Sequence, residues 1–321
     1  MSRMKSVCGS LLMERATLRA RHRIVTKAGK LPQMNADAEG KIICDHLCSS
    51  VAEEVYCIEQ LRSWSDESSI RLGVIGHPIE HSLSPPMMNA ALRECGLWHG
   101  YARFLIRPGE LREALGLMRE HEFVGVNVTA PHKMEALAAM DYVDESAAAI
   151  GAVNTVQFRH GKLRGWNTDA VGFSKAVREE FGIDVRGLDA LILGAGGAAR
   201  AIAFACDAPH LWNRREQTVE QLRERVLTAD LIVNATPVGL NEGDAPLLTR
   251  AHFRRDQFVL DTIYAPARTK LLEEAAAAGA RAANGLSMLL HQGAAAFELW
   301  FNRPAPLEIM RAAFRTLPGA R

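Results

Sequence analysis

From Arg71 onward, short apolar runs alternate with polar turns and amphipathic stretches, and the order of these runs predicts the fold. Arg71-Leu72-Gly73-Val74-Ile75-Gly76 reads as a strand, followed by a polar loop and a helix over about 85–95. Residues 102–106 read as a second strand, 110–119 as a helix, 123–128 as a third strand and 131–140 as a helix. Segments 153–158 and 162–166 flank Arg159-His160-Gly161 as a hairpin. A βαβαβα order of this kind predicts a mostly parallel α/β sheet with its polar residues at the strand ends. A second unit opens with the apolar run 189–193, a glycine turn and an Ala-rich helix, the order that a phosphate-binding βαβ unit requires. Runs 231–237 and 258–262 add buried strands, and 286–301 adds a long helix with apolar faces.

This pattern predicts a two-domain α/β chain. An extension covers 1–69, a first, mostly parallel α/β domain 70–170, and a shortened Rossmann-type nucleotide domain 171–286. Helices over 287–321 return to the first domain. Within the extension, Val51, Val55, Ile58, Leu61 and Trp64 share one helical face, which predicts a docking helix over 51–64. Residues 1–30 carry eight Arg and Lys against the single acid Glu14, a composition shared by transit peptides, disordered basic arms and overlong start assignments.

Composition narrows the partners. Lys+Arg 38 against Asp+Glu 37 gives no net field to draw nucleic acid or an anionic membrane, and no apolar run is long enough to span a bilayer. The expected partner is therefore a small molecule, and a homodimer is compatible with the sequence. Six scattered cysteines read as reduced and cytoplasmic. Cys44-Asp45-His46-Leu47-Cys48 has metal-capable side chains but no second pair to complete a zinc site, so no metal is expected.

The chemistry concentrates where apolar strands end. Asn127-Val128-Thr129-Ala130-Pro131-His132-Lys133 closes a strand in polar side chains and starts a helix at a proline, which puts Lys133 in the first turn. An ammonium there is placed to exchange a proton with a small polar substrate, though a lone lysine on a surface helix would look the same. Ser82 and Ser84 bring two hydroxyls to the loop before a helix, where Ser84 is equally explained as an N-cap. Asn154 and Asp169 lie at the far ends of the hairpin region, and Asp169 reads equally as an N-cap for a helix over 170–181. In the second unit, Gly194, Ala195, Gly196, Gly197 and Ala198 form the turn that lets backbone approach a pyrophosphate. Asn213, Arg214 and Arg215 follow where the adenosine ribose would lie. Two arginines in place of an acid favour the 2′-phosphate of NADP over NAD, unless they are simply solvated arginines opening a helix over 216–226.

Taken in order, these motifs resemble the shikimate dehydrogenase family over about 71–314: GHPIEHSLSP (76–85), NVTAPHK (127–133), GAVNT (151–155), GWNTDAVGF (165–173), GAGGAAR (194–200), NATPVG (234–239), DTIYAP (261–266) and NGLSMLLHQGAAAF (284–297). The resemblance implies NADP-dependent reduction of 3-dehydroshikimate to shikimate, with Lys133 and Asp169 as the catalytic pair. It implies that Ser82 and Ser84 bind the substrate carboxylate, that Asn127, Thr129, Asn154 and Gln292 meet the ring hydroxyls, and that Tyr264 closes the site. It assigns Thr262 and Gly285 to the cofactor, along with the glycine turn and 213–218, and Glu145 to the nicotinamide side. The sequence departs from the family in two places. Between Arg215 and Leu231 there is room for one helix but not for the usual helix-plus-strand unit, and Pro209 restricts the strand before Asn213. Asn284 stands where an acid is usual and Ser287 where a glycine is. A relative acting on quinate or an amino-shikimate, and a ligand-sensing protein that binds cofactor poorly, therefore stay open.

Overall fold

The computed structural model describes residues 54–241 and 243–315, together with the backbone of 35–36 and 42–43. The basic segment, the Cys44–Cys48 cluster and residues 51–53 lie outside the described residues. β1 (Asn35–Ala36) and β2 (Ile42–Ile43) form a minimal antiparallel pair.

The body of the chain holds two sheets. The first has seven strands in the order β3-β5-β4-β6-β8-β9-β7. These are β3 (Val55–Cys57), β4 (Ile70–Gly76), β5 (Gly100–Leu105), β6 (Gly125–Val128), β7 (Tyr142–Val143), β8 (Thr155–Arg159) and β9 (Lys162–Trp166). Only β8 runs against the rest, because the β8–β9 hairpin turns at His160-Gly161, both at positive φ, and returns in register Arg159↔Lys162. Five helices accompany this sheet: α1 (Ile58–Arg62), α2 (Ser84–Glu94), α3 (Leu111–Glu120), α4 (Lys133–Leu137) and α5 (Glu145–Ile150); α6 (Asp169–Phe181) follows β9 and packs on the second sheet. β4 and β6 read as continuous apolar runs because both of their faces are covered. One face meets α1 and α3 through Ile58, Leu61, Leu115 and Met118 around Phe104 and Val126.

The second sheet has five parallel strands in the order β11-β10-β12-β13-β14. They are β10 (Asp189–Leu193), β11 (Ala208–Trp212), β12 (Leu231–Asn234), β13 (Phe258–Asp261) and β14 (Arg281–Ala283). α6 and α7 (Gly197–Ala205) cover one face, while α8 (Val219–Val226) and α9 (Lys270–Ala277) cover the other. A full dinucleotide sheet carries one more strand outside β11. Here α8 leads directly to β12, so β11 is the edge, which is why Pro209 is tolerated inside it. The chain ends in α10 (Leu286–Phe301) and α11 (Leu307–Arg315), which pack with α2 on the remaining face of the first sheet. Trp300 anchors them there. Its indole Nε1 donates to the Val156 carbonyl at 3.0 Å, and its ring lies over Gly125, where any side chain would collide with it.

Three helices differ from their expected bounds. The described part of the 51–64 stretch is a strand followed by one helical turn: Val55-Tyr56-Cys57 pair with β5, and Trp64 lies beyond the helix against Tyr56, Phe104 and Phe123. The β-branched and aromatic residues made this segment an edge strand despite its helical spacing. The helix expected over 131–140 is confined to Lys133–Leu137. The one expected from 216 begins at Val219, because Thr218 and Gln221 form a capping box there.

Candidate active site

Both sheets place their chemistry at the strand C-termini where chain order reverses, the position at which open α/β sheets bind ligands. In the first sheet this point lies between β4 and β6. The loop after β4 carries Ser82 and Ser84, and the turn after β6 carries Thr129 and Lys133. The two are joined: His77 N–H donates to the Ala130 carbonyl at 3.0 Å, Thr129 N–H donates to Ile75 at 2.8 Å, and Thr129 lies against Gly76.

Lys133 Nζ donates to Asp169 Oδ2 at 2.6 Å, with side-chain exposures of 14% and 5%. The other carboxylate oxygen accepts from Asn154 Nδ2 at 2.8 Å, and the Asp169 N–H donates to Asn167 Oδ1 at 3.0 Å. Asp169 is the first helical residue of α6, and the preceding Thr168 occupies the cap position. The capping role is therefore not the one its side chain performs; the carboxylate is bound by Lys133 and Asn154. Ser84 likewise is the first residue of α2 rather than its cap, and its N–H donates to Ser82 Oγ at 3.3 Å.

Behind this pair runs a buried polar chain. Asn154 Oδ1 accepts from the Thr168 N–H at 2.8 Å and from Thr155 Oγ1 at 2.9 Å. Asn127 donates to Thr155 Oγ1 at 3.2 Å and to the Asn154 carbonyl at 3.3 Å, and it accepts from the Tyr101 hydroxyl at 2.8 Å. Asn127 and Asn154 thus hold the site together through bonds to the protein's own groups. Buried networks satisfied in this way are rigid, because each broken bond strands a polar group away from water. Burial pushes the Tyr101 phenol well above its ordinary value, opposed by a hydrogen bond with Ser84 and the charge of Arg103. The Tyr264 phenol is raised by burial too, opposed by the Leu83 backbone, Ser82 and Arg103. Tyr264 follows β13, so it reaches from the second sheet onto the serine loop of the first. Gln292 is buried on α10 against Gly172, one helical turn along α6 from Asp169, and its amide donates to the Leu289 carbonyl at 2.9 Å.

The second sheet presents its glycine turn at its own reversal point, between β10 and β12. Gly194 has φ +127°, and a Cβ there would stand 2.8 Å from the Ala235 carbonyl oxygen after β12, so only glycine fits. Ala195 and Gly196 are exposed at the turn, with Gly197 and Ala198 opening α7. A Cβ on Gly197 would stand 2.7 Å from Lys133 Cβ, so the helix that opens the turn touches the lysine stem directly. Asn213 braces its own loop by accepting from the Arg215 N–H at 3.1 Å, while Arg214 and Arg215 are exposed beyond β11. Thr262 N–H donates to Asn234 at 2.9 Å and Gly285 N–H to Ile263 at 3.1 Å, which sets both beside the same strand ends. A bare turn flanked by exposed arginines fits a phosphorylated dinucleotide. Glu145 is exposed in the first turn of α5 and makes none of these bonds. Asn284 is explained locally: its Oδ1 accepts from the Leu286 N–H at 3.1 Å, and its amide donates to the Ala267 carbonyl at 3.0 Å.

Tyr101, Thr155, Thr168 and Arg103 did not stand out in the sequence. A signal for one of them was present, since Arg103 interrupts an otherwise apolar strand, where a charge is rarely buried without a purpose. Among the described residues no cluster of three His, Cys, Asp or Glu could hold a metal, and no helix is long and apolar enough to cross a membrane.

A family model for the shikimate dehydrogenase substrate binding domain matches residues 74–156, and one for the shikimate 5′-dehydrogenase C-terminal domain matches 285–313. The shikimate dehydrogenase (NADP(+)) of Methanopyrus kandleri is 45% identical over 271 residues, covering 75% of this chain and 93% of its own length. The chain belongs to the shikimate dehydrogenase family. The alignment of 271 positions takes up only 75% of this chain, so some positions of that relative have no counterpart here, consistent with the missing helix–strand unit. A solved shikimate 5-dehydrogenase from Thermus thermophilus, in complex with NADP(H) and shikimate, is 41% identical with a TM-score of 0.69, covering 77% of this chain and all of its own. A ligand-free 5-ketofructose reductase of Gluconobacter is 31% identical with a TM-score of 0.65, covering 77% of this chain and 98% of its own.

Proposed function

We propose that this member of the shikimate dehydrogenase family interconverts 3-dehydroshikimate and shikimate with NADP, in the cytoplasm, as a step of aromatic amino acid biosynthesis. The observation that carries the reading is the buried Lys133–Asp169 pair, held by Asn154 and touching the glycine-turn helix at Gly197. A proton donor and a dinucleotide turn are brought to one place. When bound, NADPH supplies a hydride from C4 of its nicotinamide. Lys133 supplies the proton to the ring oxygen as it becomes an alcohol, or stabilises the charge developing there, and accepts a proton in the reverse direction. Asp169 keeps the ammonium aimed, and Asn154 keeps Asp169 aimed. Ser82 and Ser84 hold the substrate carboxylate, Thr129 and Gln292 meet ring hydroxyls, and Tyr264 closes over the serine loop. Gly194 to Ala198, Asn213, Thr262 and Gly285 would hold the cofactor, with Arg214 and Arg215 supplying cations for its 2′-phosphate.

The intact Lys133–Asp169–Asn154 arrangement supports an enzyme over a ligand sensor, which would not need an aimed proton donor. The sister reading, a dehydrogenase of quinate or an amino-shikimate, differs by one or two hydroxyl partners. A panel of shikimate and quinate with NADP+ tests it. The reading expects shikimate to have a kcat/KM about tenfold or more above that of quinate; the reverse order would assign the chain to quinate.

A further inference from the structure

Asp261, the last residue of β13, is a fully buried carboxylate in the cofactor sheet. Its Oδ1 accepts from Asn234 Nδ2 at 2.9 Å and from the Ile263 N–H at 3.0 Å, and its Oδ2 accepts from Thr269 Oγ1 at 2.6 Å. Each donor belongs to a different segment. Asn234 ends β12 and shapes the loop after it: its own Oδ1 accepts from the Thr236 hydroxyl at 2.7 Å, and its amide donates to the Val238 carbonyl at 3.1 Å. Thr236 in turn lies beside the glycine turn at Gly194. Ile263 stands between Thr262 and Tyr264, so the bond to its N–H sets the course of both. Thr262 runs against Gly285, and Tyr264 meets Ser82 and the Leu83 backbone. Thr269 caps α9 and packs against Gly239. Burial pushes the Asp261 carboxyl above its ordinary value, opposed by the bonds from Thr269, Ile263 and Asn234. Donors this deep cannot turn to water if their acceptor is removed, so the loops they belong to would have to move.

We infer that Asp261 is a positioning residue that fixes the cofactor loops and the tyrosine over the serine loop in one arrangement. It acts on the glycine turn through Asn234 and Thr236, and on Thr262 and Tyr264 through Ile263. The inference rests on the reading of the glycine turn and Thr262 as cofactor contacts and of Tyr264 as the residue that closes the substrate site. What the brace requires is acceptors in place rather than a charge. An asparagine keeps one oxygen for Asn234 and Ile263, and its NH2 can donate to Thr269 Oγ1, whereas an alanine leaves all three donors unmet.

The test follows reduction of NADP+ and of NAD+ with shikimate by the full chain, for wild type, Asp261→Ala, Asp261→Asn and Tyr264→Phe. Asp261→Ala is expected to raise the KM for NADP+ and for NAD+ by the same factor, about tenfold, because the loops it frees lie by the parts that the two cofactors share. The KM for shikimate should rise about threefold or more, through Tyr264. Asp261→Asn is expected to stay within about threefold of wild type in every constant. A lower kcat in Asp261→Ala with all KM values unchanged is what a smaller folded fraction alone would give, and it overturns the inference. An Asp261→Asn as impaired as Asp261→Ala overturns it too. If Tyr264→Phe raises the KM for shikimate and Asp261→Ala does not, the brace does not reach Tyr264 and the inference fails while the reading of Tyr264 stands. If neither raises it, the reading of Tyr264 falls, and the inference with it. Should Asp261→Ala fail to fold, Asn234→Ala, which cuts the brace to the loop after β12, decides: unchanged KM values for both cofactors overturn the inference.

Discussion

Asp169→Asn is the perturbation whose cost can be worked most closely from the structure. The carboxylate accepts at both oxygens, from Lys133 Nζ at 2.6 Å and from Asn154 Nδ2 at 2.8 Å. An asparagine of the same size has one accepting oxygen and one NH2 group. Whichever way it turns, a donor faces either Lys133 or Asn154. One lost bond to a charged group is worth ~1.5–3 kcal/mol. Leaving the mostly buried ammonium without its counter-charge raises the total to about 3–5 kcal/mol, the usual cost of breaking a buried ion pair from one side. Thermal denaturation should therefore show a melting temperature lowered by roughly 6–20 °C, at the ~2–4 °C per kcal/mol of a domain of about 150–250 residues. A misaimed proton donor forfeits ~10²–10⁴-fold in rate. Steady-state NADP+ reduction should show kcat falling by at least about a hundredfold, with the KM for shikimate within about threefold. A folded variant with near-normal kcat, or one changed in KM alone, would refute the role of the pair.

Other perturbations separate the remaining parts of the account. Replacing Arg214 and Arg215 together by alanine should raise the KM for NADP+ about tenfold or more and leave that for NAD+ nearly unchanged; equal effects on both cofactors would remove the arginines from the 2′-phosphate. Gly197→Ala places a methyl 2.7 Å from Lys133 Cβ and 3.1 Å from its Cδ, so turnover should fall sharply for a stability loss of only ~1–3 kcal/mol, read by urea denaturation alongside kcat. Glu179 is held below its ordinary value by Arg311, at 2.5 and 3.0 Å, and by His291 at 2.8 Å. The folded chain binds the Glu179 proton less tightly than the unfolded one. Its contribution is therefore complete above the unfolded value and lost as pH falls through the folded one. Glu179→Gln should flatten that acid limb in denaturation curves taken from neutral pH downward, and an unchanged limb would assign it to other carboxylates.

Much of the fold was legible because central parallel strands, buried on both faces, spell themselves as apolar runs, and the turns between them carry glycine and proline. The Lys133–Asp169 ion pair was legible as two polar positions at strand ends, but its contact was not. Lys133 and Asp169 are 36 residues apart, and only the sheet order brings the end of β6 beside the start of α6. Capping chemistry left two readings open at Ser84 and Asp169, since residues suited to cap a helix are also suited to bind a substrate or an ammonium, and neither occupies the cap position. The 51–64 segment misled because its apolar spacing fits a helix, whereas pairing with β5 decided its conformation. The supporting layer of Tyr101, Thr155 and Thr168 was illegible for a plainer reason. Its members are ordinary strand and loop residues until the fold stacks them behind Asn127 and Asn154.

The short spacing between Arg215 and Leu231 leaves room for one helix, and the second sheet has five strands with β11 at its edge, which concentrates the central question. Five strands, with β11 as the open edge, must still bind a dinucleotide firmly enough to deliver a hydride to a site built around Lys133. Following NADPH oxidation by the full chain with 3-dehydroshikimate, then with NADH in place of NADPH, tests this most directly. The account predicts rapid oxidation of NADPH with stoichiometric formation of shikimate, and a kcat/KM for NADH about tenfold or more lower. No oxidation of either cofactor by the folded protein would contradict it.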